Sequence, residues 1–171
     1  MSEAELSKKN ECLAQSAMTW VKSKLSLGFG NMNYPFSERS YAMKVNRSQP
    51  NIEKVEDRSD KQIKQIIHHK AWVAEQSKTG ACMEVSAMTF DYLARQNVRP
   101  IAIMCRDSRF ASHAFVVLGY DKIPNYNDPW SFPDYSWVSD AWAGNCYRTN
   151  TLTRTYSYRL VFELREGEQY I

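Results

Sequence analysis

The chain has 171 residues, 43% of them hydrophobic and 13% aromatic, enough for one compact domain that buries a core without covalent staples. The formal charge of +3 comes from scattered basic residues with no basic run, which gives nucleic-acid binding no footing. No apolar stretch is long enough to span a bilayer, and the opening MSEAELSKKNE lacks the basic-then-apolar order of a cleavable signal peptide. Four cysteines (Cys12, Cys82, Cys105, Cys146) stand at wide, irregular spacing. That pattern fits neither a disulfide scaffold nor a zinc ribbon, and it suits folding in a reducing cytosol.

In chain order, residues 2–27 place Leu6, Leu13, Ala17, Trp20, Val21 and Leu25 near helical spacing, and Gly28 and Gly30 break the pattern. Residues 28–59 are rich in Asn, Ser, Arg and Pro without periodicity. They read as a loop and a candidate site of partner contact. A second helix opens near Asp60 as N-cap, with Ile63, Ile66, Ile67, Ala71 and Ala74 on one face, and ends before Gly80. A third starts at Cys82, carries Val85, Met88, Tyr92 and Leu93 at three- to four-residue intervals, and closes at Asn97 and Pro100. Strands are predicted over 100–105, 113–120, 135–142, 146–152 and 156–165, with a Pro- and Asn-rich loop over 121–134. Helices followed by consecutive strands predict an α+β fold, an antiparallel sheet packed on a central helix. A single domain over 1–171 follows, with an N-terminal helix and loop over 1–59 and a core over 60–171.

Three residues carry the functional reading. Cys82 follows a Gly-containing turn at a predicted helix start, His113 opens a strand, and Asp140 ends the next strong one. The positive end of a helix favours thiolate over thiol, and a neighbouring imidazolium adds to this. A carboxylate on the second ring nitrogen fixes the tautomer and orientation of the imidazole. The bland alternatives are a small buried cysteine, a satisfied histidine and a turn-capping aspartate. A Cys82–His113–Asp140 zinc site ranks below the thiolate, because no ligand pair stands at close metal spacing. No metal or other cofactor is expected. His68 and His69 are adjacent on a helix and cannot face one site. Glu84 reads as a helix-dipole or surface carboxylate, Cys105 and Cys146 as structural, and Trp142 as packing that shields the His–Asp pair from water.

The local strings resemble the papain-like cysteine peptidases and their relatives. Gln76 precedes Cys82 by six residues in QSKTGAC; His113 begins HAFVVLGY; Asp140 begins DAW, with Gly144 close behind. The resemblance spans roughly residues 70–148. It implies a Cys82–His113–Asp140 triad, Gln76 as an oxyanion donor, and a nucleophile at the start of the central helix. The chain departs from the secreted proteases in its Asp for Asn, its lack of their disulfides, and its short run from nucleophile to histidine. In these respects it is more similar to compact papain-fold effectors and toxins that bacteria inject into host cells. Several of those deamidate a glutamine on a host protein, and others cleave peptide bonds; a transglutaminase-like core is also similar. The resemblance therefore implies a protein substrate, delivery into a host cytosol without a cleavable signal, and glutamine deamidation as the leading activity. Proteolysis, glutamine–lysine cross-linking and a non-catalytic interaction module are the alternatives.

Overall fold

A computed structural model of the protein describes residues 1–29, 52, 59–107, 112–121 and 125–171. Within them the chain is α+β: three α-helices, α1 (Glu3–Lys24), α2 (Asp60–Ser77) and α3 (Cys82–Arg95), precede five strands. The strands β1 (Ile101–Asp107), β2 (Ser112–Leu118), β3 (Trp137–Asp140), β4 (Asn145–Arg148) and β5 (Ser157–Leu164) form one antiparallel sheet in the order β4-β3-β2-β1-β5. The expected α+β class and antiparallel sheet are present. Most of the 28–59 loop predicted for partner contact lies outside the described residues.

Local chemistry sets the boundaries. The N-cap of α1 is Ser2, whose hydroxyl accepts from the Glu5 amide at 3.1 Å. The cap of α2 is Ser59, one residue before the expected Asp60; its Oγ accepts from the Gln62 amide at 3.3 Å. Lys78, left-handed at φ 61°, ends α2, and Asn97 at φ 59° follows α3. Short polar residues such as Asn accept that conformation more readily than most.

Helices α1 and α3 cover one face of the sheet, and α2 packs on α3. Ala87, Phe90 and Leu93 of α3 pack with Ile103 of β1 and with Val116 and Leu118 of β2, each 0% exposed. Strand alternation sends Ala102, Met104, Phe115, Val117 and Val138 to the opposite face, where Tyr120, Phe132, Leu152 and Tyr158 cover them. The sheet is buried on both sides, which explains the near-continuous apolar reading of β1 and β2.

The buried stripe of α1 is more polar than expected: Ser7, Asn10, Ala14, Ala17 and Val21 face inward, while Leu6 and Leu13 are only half-buried. Each polar member is satisfied. Trp137 Nε1 donates to Ser7 Oγ at 3.0 Å, and Asn10 Nδ2 donates to the Tyr135 carbonyl at 2.8 Å. From the sheet, Ser139 Oγ donates to the Ala14 carbonyl at 2.8 Å. These bonds seat α1 across β3, so the helix belongs to the packed body of the domain.

Gly119 ends β2 at φ +83°, and a Cβ there would stand 2.0 Å from Asn10 Nδ2. Gly119→Ala is expected to cost about 2–4 kcal/mol, from left-handed strain plus loss of the Asn10–Tyr135 bond. Urea denaturation reads this directly. An unchanged midpoint would mean that Asn10 yields freely.

Candidate active site

The position of Cys82 follows from how the chain enters α3. Leu27 N–H donates to the Lys78 carbonyl at 3.0 Å, and Thr79 Oγ1 donates to the Gly28 carbonyl at 2.6 Å. Phe29 and Gly80 then form a parallel bridge. A Cβ on Gly80 would meet Glu84 Cβ at 2.8 Å, so glycine lets the approach strand lie against the first turn of α3. Ala81 is the N-cap, extended and without a side-chain hydrogen bond, and Cys82 is the first helical residue. An alanine cap forgoes about 1 kcal/mol relative to Ser or Asp. It also leaves the first amides of the helix, Cys82 N–H among them, without a capping side chain to accept their protons.

His113 and Asp140 come from adjacent strands. His113 Nε2 lies 2.6 Å from Asp140 Oδ2, with both side chains buried. Asp140 Oδ1 accepts from the Ala143 amide at 3.0 Å, so the turn after β3 holds the carboxylate. The Trp142 ring is centred 5.1 Å from the imidazole, and Phe115 lies beneath it at 6.2 Å.

The His113 pKa reports a contest. Burial is the largest influence and works against the cation. Hydrogen bonds to Asp140 and to Cys82, with the negative charge of both, outweigh it and raise the pKa to about 9. The carboxylate is in direct contact with the ring, and the Cys82 sulfur is near enough to act on its charge. With Nε2 engaged by Asp140, Nδ1 is the nitrogen left for Cys82. The structure brings Cys82, His113 and Asp140 together.

No family model matches the chain, and neither a curated protein nor a solved structure matches it.

Gln76 stands apart. It is exposed in the last turn of α2, and among the described residues no hydrogen bond or ion pair joins it to the three. The uncapped amides at the start of α3 are the backbone donors nearest Cys82. No three His, Cys, Asp or Glu side chains among the described residues are arranged to hold a metal ion.

Glu84 is 8% exposed, which corrects the surface reading of it. Its carboxylate lies 3.9 Å from the Lys70 ammonium, itself 4% exposed on α2. Desolvation lowers the Lys70 pKa, and Glu84 offsets part of that. Lys70 was detectable in the sequence, because it lies three residues after Ile67 and four before Ala74 on the apolar stripe. The other cysteines sit elsewhere: Cys105 is buried in the core, Cys12 is exposed, and Cys146 is half-buried with its pKa raised by burial. His68 turns toward Asp91 at 2.9 Å, while His69 stacks on Trp72, so the two rings do separate.

A raised histidine pKa has a definite sign. The folded cation contributes stability fully below about pH 6.5, the unfolded value, and that contribution fades as pH rises through about 9. Asp140→Asn removes the charge and is expected to lower the His113 titration midpoint well below 9. NMR titration of the His113 ring protons checks this. A midpoint unmoved from the wild-type value would show that Asp140 does not hold the cation.

Proposed function

We propose that the protein is a thiol-dependent amide hydrolase with a compact papain-like core, acting on a glutamine side chain of a protein. The observation that carries this reading is the buried His113–Asp140 pair, 2.6 Å apart, with Cys82 at the start of α3 near enough to raise the His113 pKa. Attack requires the form in which His113 holds the proton and the Cys82 sulfur is free to act as nucleophile. The thiolate adds to the amide carbon, and the developing oxyanion is met by Cys82 N–H at the helix start. Collapse breaks the C–N bond, and His113 gives its proton to the departing nitrogen, which leaves as ammonia. His113, now neutral, takes a proton from water as the water attacks the thioester. The products are glutamate and the restored Cys82–His113 pair. Asp140, bonded to Nε2, orients the ring and leaves Nδ1 for the sulfur.

Glutamine deamidation is favoured over chain cleavage by the build of the core. A peptide needs an extended groove with two walls. Here one five-stranded sheet and three helices make the body among the described residues, with no second β-lobe to form the other wall. A side-chain amide needs only a narrow opening over Cys82.

Iodoacetamide at neutral pH should alkylate Cys82 much faster than Cys12, although Cys12 is the more exposed thiol. Buried Cys105 and Cys146, whose pKa is raised, should trail both. Equal rates at Cys82 and Cys12 would sink the mechanism. On substrate proteins, deamidation adds about one dalton, which intact-mass spectrometry separates from a backbone cut or a cross-link. Cys82→Ala should abolish the change while preserving the circular dichroism spectrum.

A further inference from the structure

We infer that Arg106 is a specificity residue that recruits a carboxylate beside the attacked amide, so that the preferred glutamine has an acidic neighbour. This rests on the amide-hydrolase reading and adds its substrate class. Arg106 on β1 is the direct antiparallel partner of His113 on β2. Residues so paired present their side chains on the same face of the sheet, with Cβ atoms about 4.5–5.5 Å apart. The guanidinium therefore rises from the strand next to the imidazole and on its side.

What surrounds Arg106 is aromatic. Its guanidinium carbon lies 4.8 Å from the centre of the Tyr156 ring, and Tyr158 is its cross-strand partner on β5. The positive charge also reaches the hydroxyl of Tyr147, which in turn feels Asp140. Among the described residues no carboxylate pairs with Arg106. Asp107, its neighbour in the chain, faces the other side of the sheet and is taken by Arg159 at 2.9 Å. Asp140 already gives Oδ2 to His113 and Oδ1 to the Ala143 amide. A half-buried arginine usually has an anionic partner. Here the planar fork is steadied by a ring and left open beside the reacting centre.

Carboxylates match that fork with two parallel hydrogen bonds. An extended chain advances about 3.4 Å per residue. The span from His113 to Arg106 thus places the acidic side chain roughly one or two residues from the glutamine.

Two thiol reagents of one shape test this without knowledge of the natural substrate. Iodoacetate carries a carboxylate and iodoacetamide a neutral amide. In the wild type the ratio of their rates at Cys82 should be raised, and Arg106→Met should lower it about three- to tenfold at low salt. Arg106→Lys should retain most of it. The iodoacetamide rate serves as the internal control. If that reagent does not favour Cys82, the amide-hydrolase reading fails; if it does and the ratio is the same in wild type and Arg106→Met, the assignment of Arg106 fails. A second measurement needs no variant. Wild-type ammonia release from acetyl-Ala-Gln-Glu-amide should exceed that from acetyl-Ala-Gln-Ala-amide at least tenfold in kcat/KM, and equal values would overturn the proposal.

Discussion

The burial of Ala114, Val116 and Leu118 beneath α3 decides which way His113 points. Strand residues alternate faces, so once those three are committed to the helical side, His113 and Phe115 are committed to the other. Asp140 falls on the His113 side by pairing, since Val116 lies opposite Ser139 and Phe115 therefore opposite Asp140. A slip of one residue in β2 would turn the imidazole into the core and bring Ala114 to the carboxylate. The register of the sheet and the geometry of the site are one constraint. It also explains why Cys82 arrives at a helix end: only at the margin of the sheet can a residue from the helical layer approach a side chain on the far face.

The site concentrates costs that the rest of the fold carries. An uncapped helix start, a buried lysine and a buried histidine cation each oppose folding when taken alone. Each is compensated by a partner from a different element. Lys70 on α2 faces Glu84 on α3, His113 on β2 faces Asp140 on β3, and the approach to α3 is tied to residues 27–29 after α1. Breaking a buried pair on one side commonly costs about 3–5 kcal/mol, since the remaining charge has no solvent to turn to. Interlocking pairs of this kind hold helices and sheet in one arrangement, which is what a site shared between two layers requires.

Much of this was legible in the sequence. The start of α3 at Cys82, the five strands and the meeting of Cys82, His113 and Asp140 follow from turn residues, apolar runs and local strings. Other features were hidden for identifiable reasons. Ser7 and Asn10 are buried because their hydrogen bonds reach Trp137 and Tyr135, more than a hundred residues away, and no window along α1 contains that information. Glu84 looked like a surface carboxylate because its partner sits on another helix. Gln76 was placed by spacing alone, and spacing does not show that α2 ends in a left-handed residue with the glutamine turned to solvent. The return of β5 to pair with β1, rather than with β4 beside it in sequence, is a long-range choice driven by the burial of Phe162 and Leu164.

Among the described residues that return leaves β5 as an outer strand eight residues long, with a row of amides and carbonyls of the sort that invites a second chain. Two features discourage this. Its pairing with β1 is irregular between Ile103 and Met104, so the strand is not a flat template. Along it, Arg159 and Glu163 interrupt the apolar alternation, and Arg165 follows directly at its end. Both arginines are held to carboxylates, Arg159 to Asp107 and Arg165 to Glu163, which keeps charge fixed along the margin. The opposite border, β4, is only four residues long. A sheet so bordered resists edge-to-edge growth, and the molecule keeps its largest β-surface from becoming a seed for aggregation.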